Sequence, residues 1–421
     1  MVSGEAQGGT RLKRLVVIIA LVALAAFVGL GCKSDKKKDD ASGTSTPGVS
    51  TSGETLPVDV DAVADFAASF LGYFPSELQA HAGDTVAFNN HFTGEPHTVT
   101  LGTQVDDIFD LVAEACPNGG LADPACQEFP PGAYADRYNA ANEKNPPLIP
   151  DDPTAPIPQA AAQPCFLATG APPTDATACT EQDQPAFDGT QTFYNSGWLE
   201  DQQVFSVQLA DNLAPGTYFF YCLLHREGMS GTITVVDDAT AVPSSAEVAA
   251  AGQTKLAGLI SGLQPEVDRL AAPTADEAQA GSFVETVQEA SINEFAPKEI
   301  GIPVGGSVTW NVVGFHTISF NAPESARPIL LKASDGTVSI NQESTTPAII
   351  AGPPEGDPSA PPPDPLNIDG GTWDGEGFAS SGFIEAFEGT VTYKLAFSAT
   401  GTYTYLCLIH TDMEGTIAVT E

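Results

Sequence analysis

The chain has 421 residues and a formal net charge of −38, from 54 acidic and 16 basic residues. From residue 41 onward 9 Lys and Arg face 50 Asp and Glu, a balance of −41. Such a surface repels phosphate and excludes nucleic acid as a partner, while it suits a basic protein partner or a salty habitat.

Taken in order, Arg11, Lys13 and Arg14 precede an unbroken apolar run, Leu15 to Leu30. That is the length of a secretory apolar core and short for a membrane span. Cys32 directly follows Gly31, which resembles a bacterial lipobox. Residues 1–32 are therefore expected to be a lipoprotein-type signal peptide with Cys32 as the lipid attachment site; an uncleaved anchor is the alternative. Both place the folded part outside the cytoplasm, in the cell envelope, attached to the membrane. Residues 33–56 are Lys, Asp, Ser, Thr and Gly with little to bury, as in a flexible tether.

From Tyr73 the chain repeats itself. Tyr73 to Asn89 parallels Phe295 to Asn311 at a constant offset of 222, with Pro75 matching Pro297 and Val86 matching Val308. Past a loop of unequal length, His97-Thr98-Val99 matches His316-Thr317-Ile318. Further on, Ser196-Gly197-Trp198-Leu199 matches Ser381-Gly382-Phe383-Ile384, and alternating strands follow in both copies. Each copy closes on the same stretch. Gly216 to Val235 carries Cys222, His225 and Met229 between two β-rich segments; Gly401 to Val419 carries Cys407, His410 and Met413. A repeat this long indicates two domains, 57–237 and 286–421, each able to bury a core.

Both copies are interrupted. The insertion 102–189 holds Cys116, Cys126, Cys165 and Cys179. Four cysteines in an exported loop predict two disulfides; of the three pairings, Cys116–Cys126 with Cys165–Cys179 closes the shortest loops. Val105 to Ala115 has one apolar helical face, and the remainder is expected to be long loop. The second insertion, 321–369, contains PPPDP at 361–365 and is expected to be extended or disordered. The linker 238–285 is expected to be partly helical, over Ser245 to Ala272, with breaks at Gly262 and Pro265.

The residue types in the repeated positions are those of one metal. Two imidazoles, a thiolate and a weak thioether make the ligand set of blue copper. The chain has three methionines, and apart from Met1 they stand at positions 229 and 413. Four of its six histidines fill the remaining slots; His81, aligned with Pro303, is expected to be structural and His91 exposed. The expected ligands are His97, Cys222, His225 and Met229 in one centre and His316, Cys407, His410 and Met413 in the other.

On these motifs each copy resembles a cupredoxin of the plastocyanin, amicyanin and pseudoazurin group. The resemblance implies an all-β fold, two tandem Greek-key β-sandwich domains, with two type 1 copper ions as cofactors. It also implies that Asn89 or Asn90, and Asn311, tie the ligand loops together, and that Leu223, Leu224, Leu408 and Ile409 form apolar patches around the histidine edges. The implied function is one-electron transfer with a redox partner such as a cytochrome or membrane oxidoreductase, without enzymatic turnover. Copper carriage without redox duty is the alternative. A multicopper oxidase or nitrite reductase is disfavoured, because the chain has no His-x-His pair and only two spare histidines.

Overall fold

The computed structural model describes residues 53–116, 135–150, 155–271, 278–347 and 366–421. The leader, Cys32, most of the tether, Cys126 and the PPPDP run lie outside the described residues. Among those described, no helix is long and apolar enough to cross a membrane.

The first domain packs a four-stranded sheet on a six-stranded one. The four-stranded sheet orders Tyr73–Phe74, Thr55–Val60, Thr85–Asn90 and Val204–Gln208. The six-stranded sheet begins with Glu77–His81, Arg226–Val236 and Gly216–Cys222. Their inward residues alternate along each strand, as a period of two requires. Leu56, Val58, Val60, Val86, Phe88, Phe220 and Ile233 meet in one fully buried core. The second domain repeats the plan with a six-stranded and a five-stranded sheet over Trp310, Val312, Phe397, Tyr405 and Ile417. Both are mixed rather than purely antiparallel sandwiches. Thr55–Val60 runs parallel to Thr85–Asn90, and Glu299–Pro303 parallel to Glu414–Thr420.

The two copies are joined more closely than a simple linker would allow. Ala68–Phe70, within the first copy, adds to the second domain's sheet by pairing with Val287–Ala296. Ala278–Val284, within the expected linker, pairs with Val287–Ala296 and Ser307–His316, so the expected boundary at 286 falls inside a hairpin. Thr55 and Leu56, expected in the tether, already belong to a strand.

The linker helix is one element, Ser245–Ala271, unbroken at Gly262 or Pro265. Its buried residues Val248, Gly252, Leu256, Leu263 and Leu270 recur at spacings of four or seven, a continuous stripe. Leu256, Leu263 and Leu270 pack against Phe70, Phe74 and Ile292, and this tertiary packing overrides the proline's local cost.

The insertions also have more structure than expected. The helix Thr103–Ala115 forms over the apolar face seen in the sequence, burying Val105, Ile108 and Val112. Two further helices, Ala135–Asn142 and Gln159–Ala162, follow it. The second insertion forms a hairpin from Leu330–Lys332 and Val338–Ile340. The insertions cover each other: Gln159 donates to Val338 O and accepts from Val338 N–H, both at 2.9 Å. Cys165 and Cys179 form a disulfide. Cys116 is also disulfide-bonded; its expected partner, Cys126, lies outside the described residues.

Candidate metal centres

Each centre gathers ligands from two loops at one end of a sandwich. In the first domain, Gly216–Cys222 pairs with Arg226–Val236 until the register shifts at Tyr221 and Cys222. The chain turns there through Leu223 to His225, and Arg226 takes φ 53. His97 enters from the loop after Thr85–Asn90, held by a bridge to Leu199. In the second domain, His316 ends the strand Ser307–His316, and Cys407 N–H donates to Met413 O at 3.0 Å, closing the loop that carries His410.

The structure brings His97, Cys222 and His225 together, and likewise His316, Cys407 and His410; the ligand atoms of each triad lie within 4.8 Å of one another. The imidazole ring centroids are 5.1 Å apart in the first centre and 4.8 Å in the second. Met229 and Met413 are both buried, each in the same core cluster as its domain's cysteine, Cys222 or Cys407.

The hydrogen bonds fix which ring nitrogen is bare. His97 Nε2 meets Asp61 Oδ2, and His225 Nε2 meets Glu95 Oε2, each at 3.2 Å. His316 Nε2 meets Val313 O at 3.0 Å, and His410 Nε2 meets Glu95 Oε1 at 3.2 Å. All four partners are carbonyl or carboxylate oxygens, which accept, so Nε2 carries a proton and, in the neutral ring that a metal needs, the lone pair is on Nδ1. The Nδ1 atoms of His97 and His225 are buried without a hydrogen-bond partner. Those of His316 and His410 face each other at 3.1 Å, an arrangement of two lone pairs that requires a cation or proton to be favourable. The donor set and its inward orientation fit copper.

The thiols are prepared in the same way. Burial would raise Cys222, but His225 and His97 overcome it and hold the thiol well below its ordinary range. Cys407 is lowered likewise by His316 and His410. Each sulfur also accepts a backbone N–H at 3.4 Å, from Thr98 or Thr317.

The imidazoles differ. Burial lowers His97, yet the Asp61 carboxylate and Cys222 raise it to about 9. Among the described residues no carboxylate hydrogen-bonds the His316 ring, and burial leaves it lowered. Against His316 lies Gly281 at φ +76, where a Cβ would come within 2.0 Å of Nε2.

Several supporting residues are not those expected. Asn90 ties to Leu199 O and Glu200 O, not to a cysteine loop. The tie between ligand loops is made by threonine: Thr98 Oγ1 accepts from Leu223 N–H, and Thr317 Oγ1 from Leu408 N–H, both at 2.8 Å. The repeated His-Thr pair was the available signal. Asp61 and Glu95 had no matched partner in the repeat to mark them. His81 is structural, its Nε2 meeting Thr240 O at 2.9 Å. His91 is half-buried beside Asp59 rather than fully exposed. The expected apolar patches are largely closed: Leu223, Leu408 and Ile409 are buried and Leu224 is half-buried, because the two ligand ends face each other and the first insertion.

No protein-family model matches the chain, and no curated protein matches it. Solved structures do. An auracyanin from the photosynthetic bacterium Roseiflexus castenholzii is 18% identical, covering 44% of this chain and 99% of its own, with a TM-score of 0.21. Auracyanin A, a blue copper protein from Chloroflexus aurantiacus, is 15% identical over 43% of this chain and 98% of its own, TM-score 0.20. A purple cupredoxin from Nitrosopumilus maritimus is 17% identical over 30% of this chain and 83% of its own, TM-score 0.15. With its paired sheets and a His–Cys–His grouping in each half, the chain is a tandem of two β-sandwiches that are similar to these cupredoxins.

Proposed function

We propose that this chain is an extracytoplasmic electron carrier holding two type 1 copper ions, with His97, Cys222, His225 and Met229 as ligands of one and His316, Cys407, His410 and Met413 of the other. The observation that carries the reading is the orientation of the four imidazoles, each with Nε2 on an oxygen, grouped in pairs with a buried thiol. Copper held by these residues would supply one-electron chemistry, its cuprous state favoured by the thiolate and its cupric state by the imidazoles.

The chain's part is to keep that cycle cheap. Buried ligands exclude water, and the backbone N–H groups of Thr98 and Thr317 hold the sulfurs. The threonine side chains lock the two ligand loops together, so the geometry changes little as one electron comes or goes. The leader and tether support attachment to a membrane through Cys32 or an uncleaved anchor. The acidic surface suits a basic redox partner such as a cytochrome or a membrane oxidoreductase. No substrate turnover is assigned.

Copper content and the visible spectrum of the soluble region, oxidised and reduced, test the proposal. Two coppers per chain and an intense blue band that bleaches on reduction are expected. Colourless protein that binds and readily exchanges copper would move the function to copper carriage; protein that binds none would overturn it.

A further inference from the structure

Among the described residues, the Glu95 side chain hydrogen-bonds a candidate ligand of each centre. Its Oε2 meets His225 Nε2 and its Oε1 meets His410 Nε2, each at 3.2 Å. The carboxylate comes from the first domain and reaches across to the second. It is mostly buried, at 14% exposure, so water does not compete freely for it.

The local sequence is built for this reach. Asn89 and Asn311 correspond at an offset of 222, whereas His97 and His316 correspond at 219, so the first domain's loop is three residues longer. The longer loop carries Thr93, Gly94 and Glu95. Thr411 N–H donates to Thr93 O at 3.0 Å, docking the loop on the segment that holds His410. Gly94 has φ +120, and a Cβ there would lie 2.3 Å from Ile409 O and 2.6 Å from His410 Cα. Only glycine lets the two backbones come this close.

We propose that Glu95 is a shared bridge that couples the two centres, completing a path Cys222–His225–Glu95–His410–Cys407 along which one electron passes between them. The path rests on the copper reading above; the bridge itself rests on the chain alone. In the exchange, one centre is oxidised from cuprous to cupric while the other is reduced from cupric to cuprous. No proton or atom moves, because both Nε2 protons remain on their rings. The same contact explains why the histidine edges are turned inward: the surface a single-domain carrier would show to a partner is here shown to the second copy. Burial alone would raise the Glu95 carboxyl; the hydrogen bonds from His225 and His410 outweigh it and hold the group ionised.

Two measurements on the full chain test this. In the metal-free protein, nitrogen-resolved NMR should find slowly exchanging imidazole Nε2–H protons on His225 and His410. Glu95→Ala should expose both, and persistence of both would overturn the bridge. In the copper-loaded protein, Met229→Gln is used to move the first centre's band away from the second's, since the axial ligand tunes the site. Partial reduction with a photoexcited donor should then give a relaxation between the two bands that is independent of protein concentration. Glu95→Ala should slow it about tenfold or more. Gly94→Ala, which keeps the carboxylate but forces the loops apart, should slow it too. Two intact blue centres exchanging at an unchanged rate in Glu95→Ala would overturn the path while leaving the copper function standing. A wild-type chain that binds no copper would overturn function and path together, and the imidazole protons would still decide the bridge.

Discussion

Replacing Asp61 by Asn should raise the reduction potential of the first centre by about 100 mV, the range reached below from two independent scales. Asp61 is fully buried and accepts four hydrogen bonds. Ala62 and Phe70 N–H reach Oδ1, each at 2.7 Å, and Thr93 Oγ1 and His97 Nε2 reach Oδ2 at 2.6 and 3.2 Å. Its backbone sits at φ 60, which Asn tolerates as well as Asp does, so the exchange keeps the fold of the chain while it removes the charge and the acceptor that His97 Nε2–H uses.

The carboxylate oxygen lies 3.2 Å from Nε2. Crossing the ring adds roughly 2 Å, so the charge stands about 5 Å from the ligand nitrogen, an interaction of about 3 kcal/mol at an effective dielectric constant near 20. At about 2.3 kcal/mol per 100 mV this sets a ceiling near 140 mV. The backbone N–H groups on Oδ1 reduce it. Independently, outer hydrogen-bond partners change metal affinity about 10- to 100-fold, and at about 59 mV per tenfold for one electron that is about 60–120 mV. The sign follows because a negative charge favours the cupric state, so its loss favours reduction. Spectroelectrochemical titration in a Cys407→Ser background isolates the first centre. A shift under about 30 mV, less than a tenfold effect is worth, or a downward shift would refute the reasoning.

Cys222→Ser should remove one copper and leave the second centre's blue band, and Cys407→Ser should do the converse; metal analysis with absorption checks both. Thr317→Val keeps the shape but strips the acceptor from Leu408 N–H, which should cost the metal-free protein about 1–3 kcal/mol in urea unfolding. Asp106 is raised to about 6, first by burial and then by Asp110 and Asp107, although Phe219 N–H opposes this. Its folded value exceeds its unfolded one, so the protonated form is favoured by folding and stability is lost as pH rises from about 4 to about 6. Asp106→Asn should recover about 1–3 kcal/mol at pH 8 and nothing at pH 3, read from the difference between the two melting curves.

The eight candidate ligand positions stood out in the sequence because the repeat presented them twice. A lone Cys, His or Met is ambiguous, but Cys222-x-x-His225 and Cys407-x-x-His410 at matched places are not. The strands around them alternate cleanly and were legible for the same reason. What escaped depends on contacts between the copies. Asp61 stands 36 positions from His97, with nothing local to announce it. Glu95 looked like a loop residue because its second partner, His410, is 315 positions away. Leu408 and Ile409 looked like surface because the sequence of one domain cannot say that the other will cover it. The linker helix read as broken at Pro265 because its stabilisation comes from Phe70, Phe74 and Ile292, not from its own propensity.

The symmetry that made the ligands legible also shows where the two centres part company. Glu95 meets His225 and His410 at the same 3.2 Å, so it adds little to any difference between them. The asymmetry lies at the other histidine, a carboxylate behind His97 and a backbone carbonyl behind His316. A carboxylate favours the oxidised state, which places the first centre at the lower potential. A difference of about 100 mV corresponds to about fifty-fold at ~59 mV per tenfold, so a single electron would rest mainly in the second domain. Flow through the Glu95 bridge would then run from the first centre to the second. Asp61→Asn should level the two potentials and erase that preference, while Glu95→Ala should slow the exchange and leave the preference in place. If both variants changed the same quantity, driving force and path would not be separate devices, and the division of labour between Asp61 and Glu95 would be wrong.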